Sequence, residues 1–343
     1  MALAKGFATL KRWIAVLLVL AAIAVGGFMG LVQQFASQPL PLPVDGTTVL
    51  IEPGDHFGTV LDRLRAAGIE TGNDLEWKVL ATTMRVASKL QAGEYRLSAP
   101  LTPRGLLLKL ARGDVVRFRF TIIEGRNFRE LRAALAKDSD LRHDLPQLSD
   151  AEVMAALGRE GQSPEGRFLP ETYQYRRGIG DIEILRMAMQ AMDTALAKSW
   201  AARAPDLPLA SPEELLTLAS IVEKETGNAE ERPQIAGVFV HRLKIGMRLQ
   251  TDPTVIYGMG SAYDGNIRKK DLDTDTPYNT YTRSGLPPTP ITMPGSAAIA
   301  AAAHPAQGNA LYFVARGDGS GRHVFAASYA EHTANIDKYQ LKR

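Results

Sequence analysis

The chain has 343 residues, 45% of them hydrophobic, and its 40 Lys and Arg nearly balance 37 Asp and Glu for a formal charge of +3. Charges of both signs are scattered rather than gathered into a block, so composition gives nucleic-acid binding no support. With no cysteine there is no disulfide framework, thiolate metal site or Cys nucleophile, and the length allows two modest cores or one large one.

Residues 1–12 carry Lys5, Lys11 and Arg12, and the next 20 positions, Trp13–Val32, hold no charged or strongly polar side chain. At about 1.5 Å per residue that run matches the ~30 Å of a bilayer core, so residues 13–32 are expected to span a membrane. The first charge beyond them is Asp45. The positive-inside bias then makes 1–12 a cytoplasmic tail and leaves the bulk outside. A cleaved signal peptide is the alternative reading, with Ala22-Ile23-Ala24 as its small-residue site. The apolar run continues past that site to Val32, longer than an ordinary signal core. Residues 33–46 place Pro39, Pro41 and Pro43 among Leu and Val, the pattern of a stiff extended spacer.

From Thr47 the pattern is strand, turn, helix: Val49 and Ile51 alternate, Pro53-Gly54-Asp55 turns, and Phe57, Val60, Leu61 and Leu64 recur at helical spacing. A second helix is predicted over Leu75–Thr83 and a strand over Gly93–Leu97. Thr102-Pro103 then opens a helix that runs to Gly113. Residues 47–113 thus form a small α+β unit near the lower size limit for an independent core.

The remainder, 114–343, reads as a larger α+β domain. A strand is predicted through Val116, Phe118, Phe120 and Ile122, and Asn127 with Glu130 forms a capping-box pattern ahead of Phe128, Leu131 and Leu135. Asp138–Gly166 is polar and helical in part, while Ile184, Leu185, Ala188, Met192 and Leu196 mark an amphipathic helix ending near Trp200.

Ser211-Pro212-Glu213-Glu214 specifies a helix start, with Ser at N-cap, Pro at N1 and Glu at N3. That helix continues through Leu215, Leu218, Ala219, Ile221 and Val222, carries Glu223 and Glu225 in its last turn and stops at Gly227-Asn228. A carboxylate there faces the negative end of the macrodipole, which favours its protonated form and suits a general acid. Both acids lie at edges of the apolar face, Glu225 beside Leu218 and Ile221, Glu223 beside Leu216 and Ala219. Positions i and i+2 point well apart, so the two do not work as a pair on one substrate. Periodicity does not choose between them, and two solvated helix-end acids remain the plain alternative.

Ile235, Val238, Phe239 and Leu243 repeat as a further amphipathic helix, followed by a polar loop, Gly246–Pro253, that closes into Val255-Ile256-Tyr257. Tyr278-Asn279-Thr280-Tyr281 and Gly285-Leu286-Pro287-Pro288 combine rings, amides and rigid turns. A sugar-binding cleft uses that kit, and so does an ordinary surface loop. His241, His304, His323 and His332 match no compact ligand spacing, so no metal and no cofactor is expected.

Ala219-Ser220-Ile221-Val222-Glu223-Lys224-Glu225-Thr226, Arg242-Leu243, Arg248-Leu249-Gln250-Thr251-Asp252-Pro253-Thr254-Val255-Ile256-Tyr257, Tyr278-Asn279-Thr280-Tyr281 and Gly285-Leu286-Pro287-Pro288 together resemble the endolytic murein transglycosylase (YceG-like) family. The likeness extends to Glu124-Gly125, Phe168–Tyr173, Ala303-His304-Pro305 and Leu311–Val314, and with the apolar start it covers essentially the whole chain. His241 stands where the family commonly has Asn, and Glu171 where Asp is frequent, so neither is given a chemical role.

The resemblance implies a LysM-like, glycan-binding fold for residues 47–113 and a catalytic transglycosylase domain for 114–343, anchored in the inner membrane with the bulk in the periplasm. It places the catalytic Glu at Glu225. The implied reaction cuts the bond between N-acetylmuramic acid and N-acetylglucosamine without consuming water and leaves 1,6-anhydro ends. Substrate-orienting candidates are Gln250, Asp252, Tyr278, Asn279 and Tyr281, with Arg242 and Arg248 for muramyl or peptide carboxylates. Partners would be peptidoglycan strands and peptidoglycan synthases, with control of glycan strand length as the outcome. Two alternatives remain open. One is a water-using muramidase with Asp252 as second carboxylate; the other is a membrane-tethered glycan-binding scaffold.

Overall fold

The computed structural model describes residues 2–341, with side chains from 13 onward except 15. Helix α1 (Ala2–Ser37) spans 36 residues, about 54 Å at 1.5 Å per residue, well beyond what a bilayer core needs. Val16–Ser37 within it is long and apolar enough to cross a membrane, and Trp13, Leu17, Leu20, Ile23 and Leu31 are exposed along it. The basic flank of Lys5, Lys11 and Arg12 lies outside the residues whose side chains are described.

The chain divides into two compact units, Met1–Phe118 and Arg119–Arg343. In the first, strands β1 (Thr47–Ile51) and β2 (Gly93–Leu97) pair antiparallel with Val49 opposite Tyr95, and helices α2 (Phe57–Ala66) and α3 (Asp74–Thr83) lie between them in sequence. Helix α4 (Pro103–Arg112) completes the unit; Thr102 Oγ1 accepts the Gly105 amide at its start, and Gly113 closes its end in the left-handed conformation. One face of each element is apolar, and Ile51, Leu64, Trp77, Leu80, Tyr95, Leu97, Leu106 and Leu110 meet in one core. The Tyr95 hydroxyl, carried into that core, donates to the Gln91 and Leu110 carbonyls.

Over residues 33–46, expected as a stiff extended spacer, α1 continues to Ser37 and Leu40 is buried, while Pro39, Pro41, Pro43 and Val44 are exposed. Val32, Phe35, Ala36 and Leu40 belong to the same core, Phe35 sits edge-on to Trp77 at 5.1 Å, and the Leu40 amide donates to the Leu101 carbonyl. Gly72, at φ +72°, lets the Phe35 ring in, for a Cβ there would stand 2.2 Å from it. Between the prolines, which stay in irregular exposed chain, Leu40 enters the core and Leu42 packs against it.

The second unit opens with β3 (Phe118–Thr121) and α5 (Phe128–Leu135), then α6 (Asp150–Ala156), β4 (Thr172–Tyr175), which joins β3 in a two-stranded sheet, and α7 (Asp181–Ala201). Its centre is α8 (Pro212–Glu225), packed against α7, α9 (Arg232–Lys244), α10 (Asp252–Met259) and α12 (Ser296–Ala303), with the short α11 (Lys269–Asp273) between the last two in sequence. A hairpin, β5 (Tyr312–Ala315) and β6 (His323–Ala326), and α13 (Tyr329–Tyr339) end it. Every residue of α8 from Leu215 to Val222 is buried, Thr217 and Ser220 included, so this helix is enclosed all round rather than on one face. Its buried hydroxyls are satisfied by the chain: Ser220 Oγ donates to the Thr217 carbonyl and accepts the Ile291 amide.

Candidate active site

Helix α8 begins as its sequence specifies, with Ser211 Oγ accepting the Glu214 amide and Pro212 in the first turn. It ends at Glu225, where Thr226 turns extended at φ −148° and ψ 132°. The helix is buried up to Val222, so its last turn is where the backbone leaves the core, and both candidate acids stand there.

Their surroundings differ. The Glu223 side chain is 5% exposed; one oxygen lies 3.3 Å from the Arg232 guanidinium and the other accepts the Gly295 amide at 3.0 Å. Arg232 also faces Glu124 at 3.7 Å. Glu223 thereby ties α8 to the starts of α9 and α12. Among the described residues Glu225 has no counter-ion in contact. Thr251 Oγ1 donates to its Oε1, and burial pushes its carboxyl above the usual range. The Thr251 hydroxyl opposes that rise, the nearby charge of Asp252 adds to it, and His323 and Arg242 pull it back by smaller amounts.

The polar stretch 246–253 supplies the opposite wall. It ends not as a loop throughout but at the first residue of α10, Asp252, whose Oδ1 accepts the Tyr281 hydroxyl at 2.6 Å. Gln250 holds φ +47°, a conformation that side-chain-bearing residues seldom adopt, and its amide reaches the Thr280 carbonyl at 3.2 Å. That turn sets buried Thr251 on the Thr280 hydroxyl at 3.1 Å and aims its own hydroxyl at Glu225.

Of the residues expected at a substrate, Asp252 and Tyr281 meet each other next to Glu225. Arg248 and Gln250 are exposed, with the Arg248 guanidinium on the Tyr281 carbonyl at 2.9 Å. Tyr278 is half-buried, edge-on to Tyr257 at 4.8 Å, its hydroxyl 2.9 Å from that of Thr289. Arg242 and Asn279 are placed differently. Arg242 is buried, donates to the Leu311 and Leu249 carbonyls and stacks 5.3 Å from the Tyr312 ring. Asn279 is 1% exposed; its Nδ2 serves the Asp271, Leu272 and Thr274 carbonyls while its Oδ1 accepts the Tyr281 amide. Both hold loops in place rather than face an open surface.

Three further groups were not among the site residues expected from the sequence. Thr251 is a single hydroxyl inside a polar run. Glu165, in an irregular stretch without periodicity, is 4% exposed; both its oxygens accept the Phe128 amide and one also accepts the Tyr257 hydroxyl at 3.1 Å. Burial pushes its carboxyl up to about 7. Glu231 receives the His323 amide and lies 2.9 Å from its Nδ1, a contact across 92 positions that only folding creates. No group of His, Asp and Glu able to hold a metal occurs among the described residues.

Known proteins share this arrangement of sequence. The chain is 32% identical over 270 residues to the Endolytic murein transglycosylase of Bacillus subtilis (strain 168), covering 74% of each chain. It is 27% identical over 367 aligned positions to the protein of the same name from Streptococcus pneumoniae (serotype 2, strain D39), covering 95% of this chain and 64% of that one. A YceG-like protein of Listeria monocytogenes, known from a 2.6 Å crystal structure, matches 84% of this chain and 98% of its own, with a TM-score of 0.54 at 27% identity. The YceG-like family model matches residues 49–338, and the chain therefore belongs to the YceG-like family.

Proposed function

We propose that this chain is a membrane-anchored lytic transglycosylase that cuts within peptidoglycan glycan strands, with Glu225 as the single acid and base. The observation that carries the reading is one carboxyl group, raised above its usual range by burial, held by a neutral hydroxyl and, among the described residues, free of any counter-ion in contact. A raised carboxyl is better suited to donate a proton than a salt-bridged carboxylate. The relatives named above support the choice of reaction.

Glu225 protonates the oxygen linking N-acetylmuramic acid to N-acetylglucosamine, and the bond from muramic C1 to that oxygen breaks. The muramic C6 hydroxyl then closes onto C1 while the Glu225 carboxylate takes its proton, so the acid is regenerated and no water is consumed. An internal nucleophile makes a second enzyme carboxylate unnecessary. Arg248, Gln250, Asp252, Tyr278 and Tyr281 orient the strand; Arg242 and Asn279 act through the loops they hold. Residues 47–113 serve as a LysM-like glycan-binding unit, α1 anchors the chain in the inner membrane with its amino terminus cytoplasmic, and cutting of nascent strands sets their length beside the synthases.

The full-length chain in detergent, given purified peptidoglycan, is expected to release 1,6-anhydro-ended fragments, and Glu225→Gln to release none. Asp252 supports a second reading, since it is a carboxylate that raises the Glu225 carboxyl and is itself held by Tyr281. A water-activating Asp252 would give reducing ends instead, and that product overturns the transglycosylase reading. Full biological effect from Glu225→Gln would leave only a scaffold.

A further inference from the structure

The second unit contains a cavity of about 540 Å³, within the range that takes small ligands. Its lining includes Lys224, one residue before Glu225, with Pro253 and Tyr257 of α10, Phe128, Arg129 and Tyr278. Glu225 is not on it. Lys224 immediately precedes Glu225 in the chain, so the cavity lies beside the last turn of α8.

The charges at the cavity decide what kind of branch fits. Three carboxylates reach it, and each is already engaged. Glu130 accepts the Asn127 amide at 2.9 Å, Asp150 pairs with Arg132, and Glu165 holds the Phe128 amide and the Tyr257 hydroxyl. The two bases are not engaged in the same way. Arg129 is exposed, and among the described residues no hydrogen bond or ion pair falls on it. Lys224 makes one 3.3 Å bond to the Gly125 carbonyl. The cationic donors left over stand beside a wall that includes the Phe128, Tyr257 and Tyr278 rings and the Pro253, Ile256 and Ile291 side chains. A carboxylate on an aliphatic chain matches both features, the cations pairing its charge and the apolar wall covering its carbon atoms.

We propose that this cavity receives the acidic peptide branch that peptidoglycan carries on its muramyl residues, with Arg129 and Lys224 pairing its carboxylates and Phe128, Tyr257 and Tyr278 covering its aliphatic atoms. The proposal rests on the reading of the chain as a peptidoglycan-cutting enzyme.

The test is calorimetric titration of the full-length chain in detergent with two probes. One is the free peptide branch without sugar; the other is glycan stripped of peptide, whose lactyl arms bear the alternative carboxylate. The wild type is expected to bind the peptide, and Arg129→Glu to weaken that binding by about tenfold or more. The loss should exceed any loss for stripped glycan. Arg129 is exposed, so an unchanged thermal melt checks that the variant folds. Failure of the wild type to bind the peptide, unchanged binding by Arg129→Glu, or equal losses for both probes would overturn the proposal. Peptide binding of the expected kind by a chain that cuts no glycan would instead refute the cleavage reading and leave this site standing.

Discussion

Replacing Thr251 with valine removes one hydroxyl and little else. The residue is 2% exposed, and its other bonds run through its backbone: its amide donates to Thr280 Oγ1 and its carbonyl accepts from Thr254 Oγ1. Valine keeps both and puts a methyl group where Oγ1 stood. The lost bond favoured the ionised form of Glu225, so its removal raises a carboxyl that burial already holds high. A hydrogen bond to a charged group contributes about 1.5–3 kcal/mol, and about 1.4 kcal/mol corresponds to one pK unit, so the rise should be about one to two units. The Glu225 proton is required to break the glycosidic bond, so activity declines at high pH when that proton leaves. In initial rates of fragment release from sacculi between pH 5 and 10, the alkaline limb of kcat for Thr251→Val should lie about one to two units above that of the parent. Thr251→Ser should return it. Coincident limbs for parent and valine variant, with both folded, would refute the role given to this hydroxyl and weaken the case for Glu225 as the titrating acid.

Asp252→Asn works in the opposite direction: loss of a negative charge that raises the Glu225 carboxyl moves the same limb down. An upward shift or none would show that the two groups do not interact. Glu225→Gln keeps an acceptor for Thr251 but has no proton to give, and kcat should fall by about two to four orders of magnitude; a loss under tenfold contradicts the assignment. Glu165 binds its proton more tightly folded than unfolded, so its burial weighs against the fold increasingly as pH rises from 4.5 to about 7. At about 1.4 kcal/mol per unit this reaches about 3 kcal/mol, and Glu165→Gln should gain melting temperature over the parent from pH 4.5 to 7.5; parallel curves refute it. Arg232→Ala strands the Glu223 carboxylate, only 5% exposed, and should cost about 3–5 kcal/mol. Adding Glu223→Gln should recover much of that loss in the thermal melt.

Helices α4, α5 and α8 were legible because their start signals are local: Thr102, Asn127 and Ser211 each accept an amide of the helix they open, and apolar residues at helical spacing follow. Helix α13 opens with the same kind of cap at Ser328, but only weak apolar spacing follows it. The strands β1 and β2 were legible by alternation, with Val49 and Ile51 facing one core. Helix α12 escaped notice because Ser296–Ala303 is almost all alanine and has neither a polar face nor a side-chain cap. Helix α10 was hidden for a related reason. Thr251 makes no cap bond there, because its hydroxyl serves Glu225 instead. At that position the sequence gives up a local signal to a contact 26 residues away.

The same trade explains why two glutamates two positions apart looked alike. Periodicity ranks residues by direction from one helix axis, and Glu223 and Glu225 lie at comparable edges of α8. It carries no information about what approaches from outside the helix. Arg232 and the Gly295 amide arrive on one side and commit the Glu223 charge to holding α9 and α12. A lone hydroxyl arrives on the other, so burial raises the Glu225 carboxyl with only that neutral contact to oppose it directly, whereas at Glu223 a guanidinium in contact opposes the same rise. The difference between a structural acid and a reactive one therefore lies in the partners each receives, and those come from residues up to 72 positions away in the chain. A swap of partners tests it: in Thr251→Lys a cation beside Glu225 should depress its carboxyl as Arg232 opposes the rise at Glu223. The alkaline limb should then move to lower pH in a protein that still folds, and a limb left in place would show that burial alone sets this acid.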